Sequence, residues 1–124
     1  MRRIGWILLI LSGEAKADFM DGNEFLAACS NNREFAEGYV AGFYDKALQD
    51  KASVSFYVPL MEMEKRTSFR VLSTVVKDYC APERATLRQL TDVVCKHLKD
   101  NPEGRHIPAT VLVHEAFREA FPCP

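Results

Sequence analysis

Beyond its first residues the sequence has no apolar run near the roughly 20 residues that a membrane-spanning helix needs. It has no His-Glu-x-x-His and no Cys-x-x-Cys, and no two of His97, His106 and His114 stand four apart, so no zinc site is legible. It also lacks a Gly-x-Ser-x-Gly elbow and a glycine-rich phosphate loop, the signatures of many serine hydrolases and nucleotide-binding proteins. Internal repeats and low-complexity stretches are missing. So is an excess of positive charge, the formal net charge being −1 over 124 residues. Arg2, Arg3 and Lys16 against Glu14 give the leading residues a net +2, so the remainder stands at −3. That argues against nucleic acid or an anionic membrane as a partner.

What is present begins with a leader. Met1-Arg2-Arg3 is a short basic start, Ile4 to Leu11 is apolar, and Ala15-Lys16-Ala17 has the small-x-small form of a cleavage site. The apolar run is too short for an anchor. We therefore expect residues 1–17 to be a signal peptide and residues 18–124 to form a single domain. Four cysteines in an exported chain read as two disulfides, with three possible connectivities. A leader of this form looks bacterial, and the periplasm is oxidising.

The clearest stretch runs from Cys80 to Cys123. Thr86-x-x-Gln89 has the spacing of a capping box. Leu87, Leu90, Val94 and Leu98 then recur at helical spacing, and Asp100-Asn101-Pro102 stops the helix. A second stripe follows with Ala109, Leu112, Val113, Ala116, Phe117 and Ala120, with Pro108 suited to its first turn. Two helices joined by so short a link fold back antiparallel with their stripes facing. Cys80, before the first, then meets Cys123, after the second. A bridge closing that loop is worth about 4 kcal/mol in the chain-entropy model.

Upstream, Asp21 or Asn23 caps a first helix with Phe25, Leu26 and Cys29 on its apolar face. Ser30-Asn31-Asn32 breaks it. A second helix is expected from about Arg33 to Gln49, with Phe35, Tyr39, Val40, Phe43 and Ala47 on one face. Gly38 and Gly42 lie on its other side, one turn apart. Each costs up to about 1 kcal/mol relative to alanine inside a helix. That cost points to close approach by another helix, from this chain or a second copy.

From Asp50 to Tyr79 the signals conflict. Val54, Phe56, Tyr57 and Val58 come in near-alternation like a strand, which Pro59 demotes to an edge or a loop. Phe69, Leu72, Val76 and Tyr79 fit a helical stripe, while Val71, Thr74, Val75 and Val76 favour strand. The helical reading is weakly preferred. His114-Glu115 reads as a solvated pair and His106 as a cap or corner. Cys95 and His97 stand two apart and point away from each other on a helix, so they make a poor nucleophile pair. No catalytic constellation emerges, and we read the chain as a binding protein, not an enzyme, with no cofactor.

These residues resemble a known family. Asp21-Gly22-Asn23-Glu24-Phe25-Leu26, Cys29 and Gly38-Tyr39-Val40-Ala41-Gly42 carry the N-terminal half of the likeness. Cys80-Ala81-Pro82, Gln89-Leu90, Val93-Val94, Leu98, Asn101-Pro102-Glu103, Arg105-His106, Ala116-Phe117 and Ala120-Phe121-Pro122-Cys123 carry the C-terminal half. The chain is similar in these stretches to the Rap/Tai family of type VI secretion immunity proteins. That resemblance implies an all-α, small disulfide-bonded helical bundle in the periplasm, often a homodimer. It implies a cognate secreted peptidoglycan amidase effector as the partner, bound and inhibited. One position departs from the pattern: the family's second N-terminal cysteine is here Ala36. Cys29 then lacks its usual partner, and Cys95 is expected to take that place.

The contact surface is expected in the stretch the resemblance leaves uncovered, Asp50 to Arg70. Tyr57, Met61, Glu62, Met63, Glu64, Lys65 and Arg66 are the candidate residues, since aromatics, Met and Arg favour interfaces. The competing class is an HdeA-like periplasmic acid-stress chaperone, also small, helical and disulfide-bonded.

Overall fold

Asp21 and Thr86 each begin a helix by the same device. The Asp21 carboxylate accepts from the Glu24 amide at 2.9 Å while the Glu24 carboxylate accepts from the Asp21 amide at 2.9 Å. Thr86 and Gln89 repeat the exchange at 3.2 and 2.8 Å. Each box satisfies two amides that a helix start otherwise leaves without a partner. The computed structural model describes residues 19–60 and 78–124, and only the backbone of 57–60. The expected signal peptide, and the stretch from Met61 through Lys77, lie outside the described residues.

Among the described residues the secondary structure is helical. Helix α1 spans Gly22–Asn31 and α2 Arg33–Leu60. Helix α3 spans Leu87–Asp100 and α4 Ala109–Ala120, with a 3-10 turn, Pro102–Gly104, in the link. Of the two candidate caps for α1, Asp21 is the one used. Among the described residues no helix is long and apolar enough to cross a membrane.

Helix α2 overruns its expected end by a wide margin. It does not stop near Gln49 but continues to Leu60, through the alternating stretch read as strand-like. Once a helix is nucleated, each added residue gains a backbone bond at little entropic cost. Pro59 comes one residue from the end, so the bond it cannot donate, to the Ser55 carbonyl, is among the last of the helix. The inward face is the expected one except at its start, where Ala36 takes the place of Phe35. Ala36 and Val40 are buried, with Tyr39, Phe43, Tyr44 and Ala47 half-buried, whereas Phe35 is 39% exposed.

Helices α3 and α4 form the expected antiparallel hairpin and pack on each other. Leu90, Val94 and Leu98 face Leu112, Val113, Ala116 and Phe117 in one core. Leu87 and Ala120, at the two ends of the stripes, are exposed. Past the hairpin's open end, the Cys80 amide donates to the Phe121 carbonyl at 2.8 Å, and Tyr79 pairs with Pro122 in an isolated bridge. Tyr79 is therefore extended, not the last member of a helical stripe. Its ring is buried against Phe117, which also meets Phe43, Tyr44 and Phe121.

The other end of the hairpin is tied to α1. The Gly22 amide donates to Ile107 O, and the Asn23 amide to Arg105 O, both at 3.1 Å. Arg105 turns back to donate to the carbonyls of Leu98 and Lys99 at 2.6 and 2.9 Å. A cation there complements the negative end of the α3 dipole as well as its open carbonyls.

Candidate partner-binding surface

The scaffold beneath any surface is fixed by two disulfides, Cys29–Cys95 and Cys80–Cys123. Both are the expected pairs. Cys29 on α1 reaches Cys95 on α3, while Ala36, at the position where a cysteine partner was missing, is fully buried in the core. The Cys95 sulfur is thus consumed in a bond and unavailable as a nucleophile.

Arg33 sits over this bridge. Its guanidinium donates to the Asp92 carboxylate at 2.5 Å, to the Arg88 carbonyl at 3.1 Å and to Glu37 at 3.2 Å, with Cys95 Sγ at 3.9 Å. Burial works against its charge, yet the bonds to Asp92 and Glu37 outweigh that and raise its pKa further. One planar fork therefore joins the start of α2 to the first half of α3. Sequence reasoning did not single out Arg33, because Asp92 and Arg88, the partners that tie it to α3, are more than fifty positions away.

The histidines take up positions that the sequence left open. His114 is half-buried, its Nε2 2.7 Å from an Asp78 oxygen and its ring edge-on to Tyr79. It is therefore part of the anchor where the chain re-enters the core, not a solvated pair with Glu115. Arg118 stands 3.8 Å from the same Asp78 carboxylate. His97 lies against Glu119 across the hairpin at 3.0 Å. His106 is exposed.

His97 also lines an open groove of about 410 Å³ between α3 and α4. Val93, Ala116 and Ala120 give it apolar walls, and Lys96, Asp100 and Glu119 supply its charges. Lys96 pairs with Asp100 one turn on; that bond first, then the charge itself, raises the lysine pKa and lowers that of the carboxylate. Among the described residues no group of three His, Cys, Asp or Glu could hold a metal ion.

The outer side of α2 carries the other exposed features. Ala36 and Val40 are its only buried residues among those described, and Leu48 and Phe56 are 43% and 64% exposed. Gly38 and Gly42 face outward, and a Cβ on either meets nothing within 4 Å. No helix of the chain approaches them among the described residues. The close approach inside the chain is at Gly22 instead. A Cβ there would stand 2.5 Å from Leu112 Cδ1 and 2.9 Å from the Arg105 carbonyl oxygen. Of the candidate contact residues, Tyr57 is described only by its place in α2, and Met61, Glu62, Met63, Glu64, Lys65 and Arg66 lie outside the described residues.

Comparison with family models matches residues 21–123 to the Rap1a immunity proteins. The chain belongs to the Rap1a immunity protein family. The match runs from the α1 cap through Cys123, so it includes all four helices and both disulfides. Neither a search of curated proteins nor one of solved structures found a match. As a Rap1a-family protein the chain has a role that rests on fitting a partner, and its exposed α2 face and the α3–α4 groove are the surfaces that the described residues offer.

Proposed function

We propose that this protein is a periplasmic immunity protein that binds a type VI secreted peptidoglycan amidase and blocks it, protecting the cell from its own or a sibling's effector. The observation carrying this reading is the Rap1a match over residues 21–123. Two closed disulfides support an exported chain, because such bonds persist in oxidising compartments. The leader-like residues 1–17 support the same route. The amidase-contacting residues are proposed to be Tyr57 and Met61 to Arg66, which follow α2 in the sequence.

The test is to co-express the chain with the product of the neighbouring open reading frame in the periplasm. We expect co-purification in a fixed ratio and loss of that product's peptidoglycan-cleaving activity. Lys65→Ala with Arg66→Ala, and Tyr57→Ala, should weaken binding without lowering the melting temperature. A neighbour that is neither bound nor inhibited contradicts the reading.

A further inference from the structure

The two disulfides sit in different surroundings. Cys29 and Cys95 are half-buried and pack against the core, with the Arg33 guanidinium 3.9 Å from the Cys95 sulfur. Cys80 and Cys123 are both exposed, beyond the open end of the α3–α4 hairpin. The chain around this second bridge is also held by contacts other than the sulfurs. The Cys80 amide donates to the Phe121 carbonyl at 2.8 Å, Tyr79 pairs with Pro122, and the Tyr79 ring is buried against Phe117. One residue earlier, an Asp78 carboxylate oxygen lies 2.7 Å from His114 Nε2.

We propose that Cys80–Cys123 is a thiol-exchange site, opened and closed by a protein dithiol while Cys29–Cys95 and the fold stay intact. A disulfide is broken by attack of a thiolate on one of its sulfurs, and access to that sulfur is among the factors that set the rate. One thiolate of the dithiol bonds to Cys80 or Cys123, and the other cysteine sulfur leaves as a thiolate and takes up a proton. The second thiol of the dithiol then attacks this mixed disulfide. The dithiol becomes a disulfide and gives up two electrons, which the bridge gains as two cysteine thiols. The two protons lost by the dithiol end on Cys80 and Cys123. The same steps in reverse close the bridge. Arg33 would ease departure of a Cys95 thiolate, so it is half-burial, not leaving-group quality, that shelters the other bridge. Once opened, the Cys80 and Cys123 thiols stay near each other, because the Cys80 amide bond and the buried Tyr79 ring remain. The chain-entropy contribution of one bridge is smaller than the whole stability of a typical domain, so the rest stays folded. The proposal does not rest on the immunity reading.

The full, disulfide-intact chain tests it without any effector. It is treated with dithiothreitol under native conditions, and free thiols are trapped with iodoacetamide and mapped by peptide mass. Cys80 and Cys123 should be labelled about tenfold or more faster than Cys29 and Cys95, since a half-buried bridge waits for local opening. Helicity should be unchanged while only the exposed bridge is open, and oxidised glutathione should close it again to the same pair. Thioredoxin that keeps only its attacking active-site cysteine should be captured as a mixed disulfide through Cys80 or Cys123. Cys80→Ser with Cys123→Ser should keep the helicity and abolish the capture. Equal labelling of both pairs, or earlier labelling of Cys29 and Cys95, overturns the proposal. So does loss of helicity when the exposed bridge opens, or a single-cysteine thioredoxin that is not captured.

Discussion

At the scale of single residues, one position with no room for change looks ordinary in the sequence. Gly22 opens α1, where glycine attracts no notice, yet Leu112 and the Arg105 backbone fill the space above it. Gly22→Ala should destabilise the fold by about 1–3 kcal/mol, the usual result of overpacking, measured by denaturant unfolding. Gly38 and Gly42 drew attention because a helix interior penalises them. The penalty was legible, but the open space that the described residues leave beside both was not. Arg33 is a second case. Arg33→Met should cost about 1–2 kcal/mol, since Asp92 and Glu37 lose a charged donor. Arg33→Lys should recover only part of this, because an ammonium cannot span Asp92, Glu37 and the Arg88 carbonyl together. Neither residue's role is visible without the partners that folding brings from more than fifty positions away.

At the scale of elements, legibility followed the local signals. Helices α1, α3 and α4 were readable because a capping residue, an apolar stripe and a stop agree in each. Thr86→Ala should therefore cost about 1 kcal/mol of stability, with Thr86→Ser close to neutral, in the same unfolding measurement. The end of α2 was misread because β-propensity describes a half-buried pleated surface more than a backbone preference. Val54 and Phe56 meet no strand among the described residues, and the helix that precedes them simply continues. The candidate surface was half legible. Sequence placed attention on the outer side of α2, but the groove beside His97 needs two helices at once and left no local mark.

For the whole molecule, the core closes around Tyr79 and Phe117, and this sets a limit in alkali. Burial first, then Tyr44 and Asp78, pushes the Tyr79 pKa up to about 12 from an ordinary 10. The folded chain thus keeps a proton that the unfolded chain releases. This contribution is complete below pH 10 and disappears as pH rises from 10 towards 12, at about 1 kcal/mol per pH unit. Unfolding free energies taken across that range should fall more steeply for the native chain than for Tyr79→Phe. The disulfides act at the same scale. In chain order the paired cysteines are 29, 80, 95 and 123, joined first to third and second to fourth, so the two loops interlock. Any cut between Cys29 and Cys123 is consequently spanned by at least one bridge. A protease that nicks the domain there produces a two-chain molecule, not two fragments. After limited proteolysis, a denaturing gel without reductant should show an undivided species that separates into pieces only when a thiol is added. An exported protein wired in this way survives a single broken peptide bond as one covalent object.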